Sequence, residues 1–367
     1  MSLRVSGIGT ALPRHSISQA NAARIWAALA GVDDKRARTV QALYRKSRIK
    51  QRYSVLLEGG GNGSDPVQTL FEPAVSPEDP GPSTEARMRR FEAEAPEMAA
   101  RAARDALADA GLEPSQITHL VTVSCTGFFA PGPDTAMVRL LELSPTVERT
   151  HVGFMGCHGA LNGLRVASSF AGADPGARVL VSSVELCTLH MSYTWDPDLL
   201  VANSLFGDGA AAVVGVGAGR SDDSGTDAWR LASSGTCRLP ESEDAMSWRI
   251  GDHGFRMTLS ARVPEIIQKH LREWVEGWLG SQGLRMDEVD TWAVHPGGPR
   301  ILSSVEQALD MSPEENRVPR EILADHGNMS SATILFILDR LRREKAPRPC
   351  VAMAFGPGLV VEAALFL

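Results

Sequence analysis

Three residues of this chain have the types and settings of a site that handles thioesters. Cys157 lies in VGFMGCHGALNGLRVASSF, where an apolar stretch from His151 to Met155 meets Gly156 and a helical pattern runs from Ala160 to Phe170. The thiol is expected at the turn into a helix start, where unpaired N–H groups and the helix dipole favour a thiolate. Gly156 and Gly159 leave room for a substrate to approach the sulfur. By itself, a free cysteine is as readily a small buried hydrophobe. His295, in TWAVHPGGPRIL, ends an apolar run and enters a Pro-Gly-Gly-Pro turn. Strand ends that meet glycine turns are where α/β proteins hold reactive groups. Asn328, in DHGNMSSATILFILDRL, precedes an amphipathic helix and alone reads as an N-cap.

Taken together, the thiol, imidazole and carboxamide suit acyl chemistry. A thiolate paired with an imidazolium attacks an acyl thioester. A histidine N–H and an asparagine NH₂ can both donate to a thioester carbonyl. If that thioester is malonyl, loss of CO₂ leaves negative charge on the carbonyl oxygen. Two fixed donors stabilise this enolate more than the ground state. The carbanion then attacks the acyl group on sulfur. A cysteine hydrolase would instead need an activated water, with asparagine orienting histidine. The residues alone leave that arrangement open.

Bulk properties narrow the field. The chain has 367 residues, 43% hydrophobic and 22% charged, with a formal net charge of −7. No global basic excess exists for a general nucleic-acid binder, although a local basic patch could hold one anionic ligand. The five cysteines are widely spaced and form no zinc-like pattern. The opening MSLRVSGIGTALP lacks the layout of a signal peptide. No apolar run approaches the ~18 residues of a membrane span. A soluble cytoplasmic protein with reduced thiols is expected.

The elements that must position the three residues alternate. Residues 3–10, 119–125, 178–186, 210–216, 291–296 and 350–355 read as strands, most of them apolar on both faces. Residues 18–52 and 83–110 read as helical, the second interrupted at Pro96 and stopped by Gly111. Residues 263–278 and 330–343 carry apolar stripes at helical spacing, the pattern of core packing. Residues 58–83 read as a loop without regular structure. The class is α/β. The polar segment 217–227 is the candidate boundary between halves 1–220 and 221–367, the first carrying the cysteine and the second the histidine and asparagine.

The blocks GFMGCHGALNGLRVA, NSLFGDGAAAVV, VHPGGPRIL, GNMSSAT and AFGPGLVVEAALF resemble the type III polyketide synthases, the chalcone synthase-like family. The similarity runs over roughly 85–367 and more weakly over 3–53. It implies a thiolase fold: two similar αβαβα halves stacked as five layers, in a homodimer. Cys157, His295 and Asn328 then match the catalytic triad. Phe206 matches a gatekeeper between the coenzyme A tunnel and the cavity. Gly356, Pro357 and Gly358 match a cavity-shaping loop. Ser330 and Thr126 fall among the substrate-binding positions, and Lys46 matches a basic contact at the coenzyme A entrance. The substrates implied are acyl-CoA and malonyl-CoA, with no metal or redox cofactor.

Departures from the pattern bear on substrate. A second gatekeeper position falls on Met257, with Phe255 one small slip away. Cys125 stands where plant members carry threonine. Both features resemble bacterial members that make alkylresorcinols, alkylpyrones or polyhydroxynaphthalenes, and point to a fatty acyl starter. Trp248 is a candidate for reducing the cavity. A single-condensation ketoacyl synthase using an acyl carrier protein, and a catalytically silent thiolase-fold scaffold, share many of these features.

Overall fold

The computed structural model describes residues 3–59, 66–217 and 228–367. Nine strands form one sheet in the order Thr291–Val294, Cys350–Gly356, Val360–Phe366, Arg230–Arg238, Leu3–Ala11, Asp208–Gly217, Arg178–Leu186, His119–Ser124 and Glu148–Gly153. Strands of residues 3–217 occupy one side of this order and those of 230–366 the other. The two groups join through only two residue pairs, Leu3 with Leu231 and Arg4 with Arg230. The expected boundary segment lies almost wholly outside the described residues.

Alternation along the strands builds the layers. Val121, Val123, Val181 and Val213 face inward from the first group, and Ala293, Ala352, Ala354 and Ala364 from the second. Between these faces lie two buried helices, Gly159–Ala173 and Ala332–Arg343, packed through Leu161, Leu164, Ile334 and Leu338. The opposite face of the first group, with Leu120, Leu180 and Val214, takes the helix Thr84–Ala110. The opposite face of the second, with Val294, Val351 and Met353, takes Val263–Ser281 and Pro299–Leu309. The result is a five-layered thiolase-like sandwich.

Several elements differ from their sequence-based expectation. Thr84–Ala110 runs unbroken through Pro96. Interior proline costs about 3 kcal/mol, but Ala95, Pro96, Met98 and Ala99 are buried against the sheet, and this packing offsets the loss. Residues 18–52 hold two helices, Gln19–Leu29 and Asp34–Lys46, split by Gly31 at φ 59° and a new N-cap at Asp33. Within the presumed loop, Leu57–Glu58 pairs with Val67–Gln68, and Phe71 is buried. Strands at Glu148–Gly153, Arg230–Arg238 and Val360–Phe366, and the hairpin Met246–Gly251/Gly254–Leu259, went unpredicted. Among the described residues no helix is long and apolar enough to cross a membrane.

The Leu3–Ala11 strand approaches the Thr84–Ala110 helix closely because Gly7 and Gly9 face it. A Cβ on Gly9 would lie 2.3 Å from the Ala102 carbonyl oxygen, whereas one on Gly277, inside a helix, meets nothing within 4 Å. Gly9→Ala should therefore destabilise the fold by about 1–3 kcal/mol through overpacking. Gly277→Ala should stabilise it by about 0.5–1 kcal/mol through lost backbone entropy. Urea unfolding of the two variants checks both signs.

Candidate active site

The nucleophile candidate sits where its sequence context places it. Gly156–His158 forms a single 3₁₀ turn, and Gly159–Ala173 continues from it as an α-helix. Gly156 has φ 71°, and a Cβ there would lie 2.3 Å from Pro357 Cδ. The turn can thus form, and dock on the Pro357 turn, only with glycine at 156. Cys157 lines a pocket of about 390 Å³ with Cys125, Thr126, Phe206, Met257, Ser330 and Pro357, so most of the anticipated site residues converge on one space. Gly356 and Gly358 shape the turn behind Pro357.

Asn328 stands beside this pocket and is 1% exposed. It forms a β-bridge with Phe206, with Asn328 N–H donating to Leu205 O at 2.9 Å and Gly207 N–H donating to Asn328 O at 3.0 Å. It is not the N-cap of the following helix, a position held by Ser331. Its Oδ1 accepts the Ser330 N–H at 2.8 Å. That bond fixes the amide so that Nδ2, the donor, is left over. Nδ2 donates weakly to Gly297 O at 3.4 Å, linking Asn328 to the turn that carries His295. Ser330 holds an unusual φ of 46°, and its Oγ lies 3.2 Å from Cys125 Sγ.

His295 ends its strand, with its N–H donating to Met353 O at 2.8 Å. The residue is 1% exposed, and neither ring nitrogen has a protein partner. An imidazole so placed has both nitrogens to offer a substrate. Burial, aided by the neighbouring His158, holds its pKa down to about 3. Burial also pushes the Cys157 thiol up to about 12, while hydrogen bonds from Ser330 and Asn328 pull it back. Burial at both residues thus works against the thiolate–imidazolium pair expected from sequence.

Lys46 ends the helix Asp34–Lys46 and is exposed, outside the pocket. That helix nonetheless contributes Tyr44 to a second, larger space. An apolar chamber of about 870 Å³ is lined by Trp26, Leu29, Leu56, Leu57, Phe71 and Leu199, among others. It shares Cys187, Phe206, Trp248 and Met257 with the Cys157 pocket. Met257 therefore stands in the partition, and Phe255 lies on the chamber side only. The partition is braced. Trp248 Nε1 donates to Cys125 O at 2.7 Å, and Arg52 donates to Phe206 O at 2.6 Å. His190 bridges Thr126 O at 2.7 Å and the Phe255 N–H at 3.0 Å.

Sequence reasoning passed over Glu185. This carboxylate is 0% exposed and accepts from Thr126 Oγ1 at 2.7 Å, the Cys125 N–H at 3.1 Å and Ser331 Oγ. Burial raises its pKa against these hydrogen bonds. A single acid inside RVLVSSVEL, an otherwise apolar and hydroxyl-bearing run, was the available signal.

Comparison with known proteins decides the family. Residues 3–220 match the N-terminal domain of the chalcone and stilbene synthases, and residues 230–367 match their C-terminal domain. The chain belongs to that family. It is a type III polyketide synthase, an acyltransferase of decarboxylative Claisen chemistry that uses acyl-CoA and malonyl-CoA. It is 33% identical to the alpha-pyrone synthesis polyketide synthase-like Pks18 of Mycobacterium tuberculosis, over 99% of this chain and 90% of that one. It is 37% identical to bisdemethoxycurcumin synthase of Oryza sativa, over 77% of this chain and 74% of that one. The crystal structure of PKS-I from the brown alga Ectocarpus siliculosus superposes with a TM-score of 0.92 at 28% identity, covering 100% of this chain and 98% of that one. The C-terminal type III domain of the Dictyostelium hybrid Steely1 gives 0.86 at 28% identity, covering 100% and 99%.

Hydrogen bonds to sulfur favour the thiolate, so removing one raises the thiol pKa. Ser330→Ala should shift the pH profile of Cys157 alkylation by iodoacetamide to higher pH and slow labelling at pH 8. An unmoved profile would show that Ser330 does not bond the nucleophile.

Proposed function

We propose that this synthase loads a fatty acyl group from coenzyme A onto Cys157, extends it with malonyl-CoA, and cyclises the product to an alkylpyrone, alkylresorcinol or related phenolic. The observation that carries the starter class is the apolar lining of the chamber adjoining the Cys157 pocket, with Trp26, Leu29, Leu56, Leu57, Phe71 and Leu199. A space so lined suits an alkyl chain better than a polar aromatic acid. The mycobacterial relative, named for alpha-pyrone synthesis, supports the product class.

In this reading His295 and Asn328 donate to the thioester carbonyl of malonyl-CoA and hold the enolate formed as CO₂ leaves. The fixed amide of Asn328 and the unpartnered nitrogens of His295 support those roles. Phe206 and Met257 gate the pocket; Cys125, Thr126, Ser330 and the Gly356–Gly358 turn shape it. Lys46 contacts the coenzyme A phosphates. Coenzyme A thioesters suffice, with no bound metal or redox cofactor. Five free cysteines support action in the cytoplasm. The N-terminal half, 1–220, supplies the nucleophile, and 221–367 the histidine and asparagine.

A homodimer completes the reading. Glu148–Gly153 is the outermost strand of the sheet, and Phe128, Phe154 and Met155 beside it are 48%, 37% and 37% exposed. An unpaired edge next to an apolar patch is a surface that a second copy would cover.

Incubation with an acyl-CoA series and malonyl-CoA should give malonyl-dependent products by mass spectrometry, best with medium or long chains. No such product from any starter would defeat the reading, and a carrier-protein requirement with one condensation would favour the ketoacyl synthase alternative. Asn328→Ala should lower malonyl-CoA decarboxylation by about 10²–10³, the scale of a lost oxyanion donor. An unchanged rate would favour a hydrolase-like site. Phe154→Asp should convert a dimer to monomer in analytical ultracentrifugation.

A further inference from the structure

The residue after the nucleophile turns away from the acyl pocket. His158 is 2% exposed and packs against Gly356 of the C-terminal half. Its ring is held by a hydrogen-bonded chain whose direction is set from the far end. Glu362, 3% exposed, is ion-paired with Arg165 and accepts from Thr236 Oγ1 at 2.9 Å and Asn162 Nδ2 at 3.0 Å. A carboxylate so engaged only accepts, so Asn162 must donate through its nitrogen. Its oxygen then faces His158, with Oδ1 2.8 Å from Nδ1. An amide oxygen also only accepts, so Nδ1 carries the proton. The tautomer of His158 thus follows from Glu362.

The other side of the ring rests on Gly356. A Cβ there would lie 2.2 Å from His158 Cδ2 and 2.4 Å from Nε2. The nucleophile turn and the Gly356–Pro357 turn are therefore interlocked twice, His158 on Gly356 and Pro357 on Gly156. Strand residues Thr236 and Glu362 come from one half, and His158, Asn162 and Arg165 from the other. An apolar ring could fill this position. A buried polar chain adds direction, because it is satisfied in one arrangement only.

We propose that His158 is a positioning residue for the condensation. Its Nδ1–H bond to Asn162 docks the Cys157 turn on the Gly356–Pro357 turn and sets where the sulfur stands relative to His295 and Asn328. This rests on the reading of Cys157 as nucleophile.

Two substitutions separate position from bulk. His158→Phe keeps the ring and removes the donor. His158→Asn places an amide NH₂ near the Nδ1 position. With acyl-CoA and malonyl-CoA, kcat for condensation should fall roughly tenfold or more in H158F, with KM within about twofold, and recover to within about threefold of wild type in H158N. Asn162→Leu, which breaks the same chain from its middle, should reproduce the H158F loss and serves if H158F does not fold. Wild-type kcat in H158F or N162L overturns the proposal, as does an H158N enzyme as impaired as H158F. If Cys157→Ala still condenses at the wild-type rate, the nucleophile reading itself fails, which is a separate outcome.

Discussion

The constraint on which this enzyme depends is that two buried helices start side by side between two sheet faces. Gly159–Ala173 and Ala332–Arg343 share one core through their buried faces. Cys157 precedes the first and Asn328 the second, so packing the helices brings the thiol and the amide together. His295 comes near because its strand lies parallel to Cys350–Gly356, whose end carries the turn that packs on Gly156 and His158, and Asn328 reaches the His295 turn through Gly297 O. The geometry of the candidate site is a consequence of core packing.

Burial then sets the electrostatics. Every ionisable group near the sulfur pays a desolvation cost that disfavours its charged form. The thiol rises, the imidazole falls and Glu185 rises. What opposes this is a set of short-range donors: Ser330 and Asn328 on the sulfur, and Thr126, Ser331 and the Cys125 N–H on Glu185. Such a site holds few charges at rest and is arranged to stabilise the charge that appears during reaction, which is the requirement for lowering a barrier rather than binding a substrate.

Substrate space is governed by a separate device. The partition of Phe206, Trp248, Met257 and Cys187 divides the reaction pocket from the apolar chamber, and backbone carbonyls hold it in place. Trp248 and Arg52 each donate to a carbonyl, and His190 ties the Cys125–Thr126 segment to the hairpin that presents Met257. Leu57, Gln68 and Phe71 line the chamber on another side. The shape of this space is thus set by side chains remote in sequence from Cys157.

The sequence by itself determined the local facts: a glycine-flanked cysteine before a helix, a histidine at a strand end, the apolar strands 178–186 and 350–355, and the two core helices. These depend on periodicity and turn chemistry, which are short-range. It missed the edge strand Glu148–Gly153, which is half exposed and polar, and misjudged Pro96, whose cost is met by contacts distant in the chain. Only the tertiary structure decided that Glu185 lies beside the Cys125–Thr126 wall of the pocket, that an apolar chamber adjoins it, and that His158 locks into Gly356. Each depends on groups tens to hundreds of residues apart, and no local pattern records which of them will meet.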